Sequence, residues 1–227
     1  MSTRPTPAAP LPPLPGPSPL PFLPRLRSRP PFPYLRSRAL PLTVVTLVCV
    51  ALVAAWAAHW LESRPYFDHT ARVPVVVLAP LLASATIGTG LYAHSDELDR
   101  TAVRRWWPRR LLHLLASTAL AAGALAAAVP GHPEAYGAPG MVRNVLGATG
   151  VTAASAALIG ARPSWLPMTA YGGAVYLAAP RTPGGAAAVW AWPMQPGPQG
   201  AAWAVAVAVF VAGSALLVVG GARPERG

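Results

Sequence analysis

Charge is scarce in this chain of 227 residues, and the stretch that concentrates it is HSDELDRTAVRRWWPRR, His94 to Arg110. It holds three of the seven acids, Asp96, Glu97 and Asp99, and five arginines, Arg100, Arg104, Arg105, Arg109 and Arg110. The order of the charges fits a short helix over Asp96 to Trp106. Ser95 is its N-cap, the acids fill its first turn, and Arg104 and Arg105 fall near its end, so both signs complement the helix dipole. Asp96 and Arg100 stand four apart in the favourable direction. Leu98, Ala102 and Trp106 share one face. Such a helix would lie along a membrane surface on its apolar face, with its charges outward. Asp96, Glu97, Asp99, Arg100, Arg104 and Arg105 are the candidate partner-coupling residues.

Other chemistry is poorly supplied. Ser84, Ser117 and Ser155 lie in apolar runs, with no His or Asp at similar depth to complete a nucleophile–base pair. The chain has no lysine, so it contains no Walker A motif, which requires G-K-[ST]. His59, His69 and His132, with Glu62, Asp68 and Glu134, have the types for a metal or acid–base site. Their loop positions favour solvated residues instead. His94 and His113 belong to the opposite side, so no two span histidines match in depth to hold a haem. Cys49 is single, which rules out an internal disulfide, and it reads as a small buried hydrophobe. The expectation is a protein without catalytic residues, metal or cofactor, and not an enzyme.

The elements around the charged run explain where it must lie. The chain is 53% hydrophobic but only 11% charged, against about 25% charged in soluble domains. Its apolar residues come in runs rather than at a helical or strand period, which a bilayer stabilises. The net charge of +11 does not indicate nucleic acid, because the arginines sit at the ends of the runs. Six helical spans are predicted, over about 40–61, 73–93, 111–129, 141–161, 165–179 and 201–222, making an all-α polytopic membrane domain over 39–222. The fifth, 165–179, is short for a crossing and is expected to be upright or partly re-entrant. Pro80 inside span two leaves a carbonyl for neighbouring groups to satisfy. Arg143 and Asn144 lie at the outer end of span four, where an arginine can snorkel to the headgroups. No strict G-x-x-x-G occurs. The segment 180–200, rich in Pro and Gly with Trp190 and Trp192, reads as an outer loop dipping into the interface.

Residues 1–38 form a proline-rich tail with six arginines and the composition of a disordered segment. Its P-x-x-P matches could dock a partner. With both termini cytoplasmic, including a short 223–227 tail, the inner segments hold fourteen arginines and the outer ones four: Arg64, Arg72, Arg143 and Arg181. That bias sets the orientation in a bacterial inner (plasma) membrane.

The layout resembles the permease subunits of ABC exporters. The resemblance rests on six spans, a basic N-terminal segment, an amphipathic helix between spans two and three, and a semi-buried outer segment before span six. The stretches DELDRTAVRRWWPRRLLHLL and MVRNVLGATG are similar to small multi-pass proteins of high-GC bacteria. The resemblance implies a dimeric permease, with Asp96, Glu97, Asp99 and Arg100 in a coupling helix that docks on a separate ATP-binding subunit. The competing expectation is a non-transporting scaffold or accessory protein that recruits partners through its tail and charged loop.

Overall fold

In hydrocarbon a backbone with no water at hand closes its own hydrogen bonds, and for a single run the helix does so. The computed structural model describes residues 40–64, 72–91, 107–131, 134–180 and 182–223, and all regular structure among them is helical. The helices are α1 (Leu40–Glu62), α2 (Val73–Gly90), α3 (Trp107–Ala128), α4 (Ala138–Ile159), α5 (Leu166–Ala178), α6 (Ala187–Trp190) and α7 (Gly200–Gly220). A 3-10 turn, Arg162–Trp165, leads into α5, and another, Trp192–Met194, follows α6. Five helices, α1, α2, α3, α4 and α7, are long and apolar enough to cross a membrane. The chain is therefore an integral, multi-pass helical membrane protein.

The fifth expected span, 165–179, appears as a helix of 13 residues, about 20 Å long where a hydrocarbon core measures about 30 Å. Helix α3 begins at Trp107, four residues before the expected Leu111. Pro108 falls in its first turn, where a missing N–H costs nothing. At the other ends, Gly160 (φ 105°) and Gly221 (φ 70°) stop α4 and α7 in a conformation that side-chain-bearing residues avoid.

Contacts at both ends of each pair give the directions. Glu62 pairs with Arg72 between α1 and α2, while Thr43 meets Gly90 at their far ends, so the two are antiparallel. Arg72 Nη1 also donates to the Pro130 carbonyl just past α3, at 3.1 Å. Helices α2 and α4 are parallel: Val76 faces Gly140 and Asn144, and Gly88 faces Thr152. Helices α4 and α7 are parallel too. The Gly197 N–H donates to Ala135 O at 2.7 Å, Gly150 lies against Phe210 and Gly213, and the Arg223 N–H donates to Ala156 O at 3.0 Å. Arg110 reaches Gly221, which sets α3 against α7. So α2, α4 and α7 run one way, and α1 and α3 the other.

Helix α4 is the hub of the bundle, with 61% of its span buried against 22% for α1 and 28% for α7. Small residues make this possible. A side chain at Gly213 would fall on the Gly150 carbonyl, so the α4 and α7 backbones touch there. Cys49, expected to be buried, is exposed on α1; a helix so loosely packed turns much of its apolar surface to the lipid. Trp60 at the end of α1 lies under the Arg64 guanidinium, 4.6 Å from the ring centre, as suits an interfacial anchor.

Candidate functional site

Proline chemistry explains the one densely polar place in the described interior. Pro80 has no N–H, so inside α2 it leaves the Val76 carbonyl without its helical donor. Pro193, Pro196 and Pro198 do the same to the segment 182–199, which becomes rich in acceptors and poor in donors. Donors must come from elsewhere, because a buried carbonyl left unpaired costs about 1–3 kcal/mol.

They come from side chains, and chiefly from α4. Asn144 Nδ2 donates to Val76 O at 2.9 Å and to Pro193 O at 2.8 Å. Its Oδ1 accepts from Arg143 Nε at 3.2 Å. Arg143 Nη1 donates to Pro196 O at 2.7 Å, and Nη2 to Gln195 O at 2.6 Å. The Tyr136 hydroxyl donates to Met194 O, and the Trp203 indole to Gly197 O. Tyr171 of α5 bonds to the Trp190 carbonyl. Gln195 is itself buried and accepts the Gly184 N–H, which closes the segment on itself.

Apolar packing holds the same segment from below. The Trp192 ring lies over Gly147, whose Cβ, if present, would sit 2.7 Å from Cζ3. Gly147 is nine residues into α4, so the segment reaches about 14 Å along that helix. Tyr171 stacks on Trp192 at 6.4 Å between ring centres. Val175 of α5 packs with Ala187 and Ala191. The segment 182–199 is thus a cap seated between α4, α5 and α7.

Arg143 is where expectation and structure part. Rather than snorkelling to headgroups it is fully buried, 0% exposed, and it donates to neutral carbonyls and an amide oxygen. Burying a cation is costly unless its donors are met, and a guanidinium fork can meet several acceptors at once. Nothing in the residues next to Asn144 announces its role. The signal for it was Pro80, whose freed carbonyl it serves.

Burial raises the Tyr136 phenol above its ordinary range, with the Arg143 charge pulling weakly the other way. The fold therefore favours the neutral phenol. Its contribution is intact below the unfolded value of about 10 and is lost as pH rises from there through the raised value. Trp fluorescence is expected to report loosening of the cap at alkaline pH, reduced in Tyr136→Phe. Coincident curves for parent and variant would show that Tyr136 takes no part.

The arrangement binds backbone carbonyls, and its chemistry is positional. Among the described residues no group of three His, Cys, Asp or Glu side chains could hold a metal ion. The candidate coupling residues Asp96, Glu97, Asp99, Arg100, Arg104 and Arg105, and the helix expected over them, lie outside the described residues, as do His69, Asp68 and His132. No family model matches the chain, and no curated protein or solved structure matches it.

Proposed function

We propose that the protein is the membrane subunit of an exporter driven by a separate ATP-binding subunit, crossing the membrane six times with both termini in the cytoplasm. One observation carries this reading: α4 and α7 are parallel, and the stretch joining them includes the cap over 182–199. Two parallel neighbours require the chain to return across the membrane in between. On this reading the 3-10 turn Arg162–Trp165 and α5 make that return, and end to end they measure about 28 Å. A sixth, short crossing followed by a semi-buried segment before the last span is the layout that the resemblance to ABC exporter permeases implies.

The end bearing Arg109, Arg110, Arg162 and Arg223 is cytoplasmic on this reading. At the other end Arg72 and Arg143 are engaged by protein groups. On this reading a cargo path forms between two copies, beside the carbonyl hub and the glycine contacts that α4 makes with its neighbours. The coupling helix is the charged sequence between α2 and α3, and rocking of the spans against each other follows ATP hydrolysis.

Topology is tested by cysteine labelling in a Cys49→Ser background. Cysteines at Ser95 and Arg226 are expected to react from the cytoplasm only, and one at Glu134 from outside only. Labelling of position 226 from outside would break the six-crossing arrangement.

The function is tested on the charged loop. Replacing Asp96, Glu97 and Asp99 by Asn, Gln and Asn removes first-turn charge worth about 0.3–1 kcal/mol per residue. The arginines that set orientation remain, so insertion and abundance should be near normal. Co-purification of an ATP-binding subunit and transport-linked ATP hydrolysis should fall sharply. If the triple variant keeps both, or no such subunit binds the parent chain, the scaffold reading replaces this one.

A further inference from the structure

A groove runs between α3 and α7 at the end of the bundle that carries Arg109, Arg110 and Arg223. Leu111 and Leu115 form one wall, and Phe210, Val211, Ser214 and Val218 the other, around a volume of about 320 Å³. That is near the lower end of the roughly 300–1,000 Å³ of ligand clefts. Ser214 is the polar member, and its hydroxyl is buried, so the surface on offer is hydrocarbon. Leu115 and Val211 are 43% and 60% exposed, so the groove is open to the side.

Charge stands at its mouth. Arg109 and Arg110 immediately precede Leu111, and the Arg110 guanidinium lies against Gly221, where α7 ends. Trp107, one turn further out, is exposed and suits the headgroup level. A guanidinium carries five donors in a fork that matches phosphate oxygens, so it can take a phosphate beside its existing contacts. One such group beside the end of α7 at a hydrocarbon groove, with a second arginine next to it in the chain, describes the complement of a phospholipid. A helix from a second copy fits less well. Apart from Glu62 at the end of α1, none of the long helices carries an acid to meet the arginines.

We propose that this groove binds one acyl chain of an anionic phospholipid, with the lipid phosphate held by Arg109 and Arg110. The site requires only that the chain sit in a bilayer, and it is independent of any ATP-driven role. It would act as a fixed lipid between α3 and α7, filling a seam that the protein's own side chains leave open.

Full-length protein, stripped of lipid in detergent, is titrated with phosphatidylglycerol or phosphatidylcholine, and bound lipid is counted by native mass spectrometry. One phosphatidylglycerol should be retained in preference to phosphatidylcholine. Each juxtamembrane arginine contributes roughly fivefold, so R109Q/R110Q should weaken binding roughly 30-fold, and R109K/R110K should recover most of it. Ala215→Trp, at a lining position, should block the groove and abolish retention while helix content is unchanged. Dihexanoyl phosphatidylglycerol, which keeps the headgroup but shortens the chains, should bind far more weakly, and this arm needs no variant. Equal binding of both lipids by parent and variants would mean ordinary boundary lipid and overturn the site. So would inorganic phosphate competing as well as the full lipid, or a dimer that Ala215→Trp converts to monomer.

Discussion

Arg143→Ala is expected to unseat the cap while leaving the five long helices in place. Two carbonyls, those of Gln195 and Pro196, and the Asn144 amide oxygen lose their donor at once. Stranded acceptors at about 1–3 kcal/mol each outweigh the relief of no longer burying a cation, and a net loss of about 3 kcal/mol is expected. Arg143→Lys should recover only part, because an ammonium is a point donor and cannot hold acceptors lying in different directions. Hydrogen exchange in detergent is the direct readout. Amides of residues 184–197 should lose protection in Arg143→Ala, while those in the middle of α3 keep theirs. Unchanged protection in 184–197 would mean that the hub does not hold the cap.

A comparable loss is expected at the α4–α7 crossing. In Gly213→Ala the new methyl falls on the Gly150 carbonyl, with the carbonyl carbon 2.8 Å away. A side chain in the way can change rotamer; a helical backbone cannot, so α7 must move off α4. Overpacking usually costs about 1–3 kcal/mol, and a backbone obstacle puts this case at about 3 kcal/mol or more. Gly123→Ala is the control, since nothing lies within 4 Å of its added carbon. In the middle of α3 that change should stabilise by about 0.5–1 kcal/mol. Melting temperatures of the two variants should therefore move in opposite directions, and a Gly213→Ala protein that melts with the parent would refute the contact.

The long spans were legible because an apolar run is a local signal. Observed ends lie within about four residues of those expected, and the largest shift, at Trp107, comes from a proline that helices accept in their first turn. The prolines, glycines and tryptophans of 180–200 set it apart from the apolar runs, and in the structure its Trp192 packs on Gly147 of α4. The hub was not legible. Arg143 binds Gln195 and Pro196, 52 and 53 residues on, and Asn144 binds Val76, 68 residues back. An arginine near the end of an apolar run reads as snorkelling unless the acceptors that prolines create elsewhere are counted. The α4–α7 contact was hidden for a related reason. It pairs Gly150 with Gly213 across two helices, so no spacing within one run announces it. The charged loop lies outside the described residues, and its coupling role rests on the proposal above.

The separation between Arg143 and its acceptors also sets an order of events. Chains emerge from their N-terminus, so α4 is made before Gln195 and Pro196 exist. During that interval the guanidinium must find other oxygen, and near the end of a span it can reach water or lipid headgroups. Only when the cap and α7 have been synthesised can it exchange those transient partners for the carbonyls that bury it. Arg143 therefore has two successive environments, and the passage from one to the other follows synthesis of the cap. A nascent protein stopped before residue 195 would hold an inserted α4 whose arginine still faces the aqueous boundary.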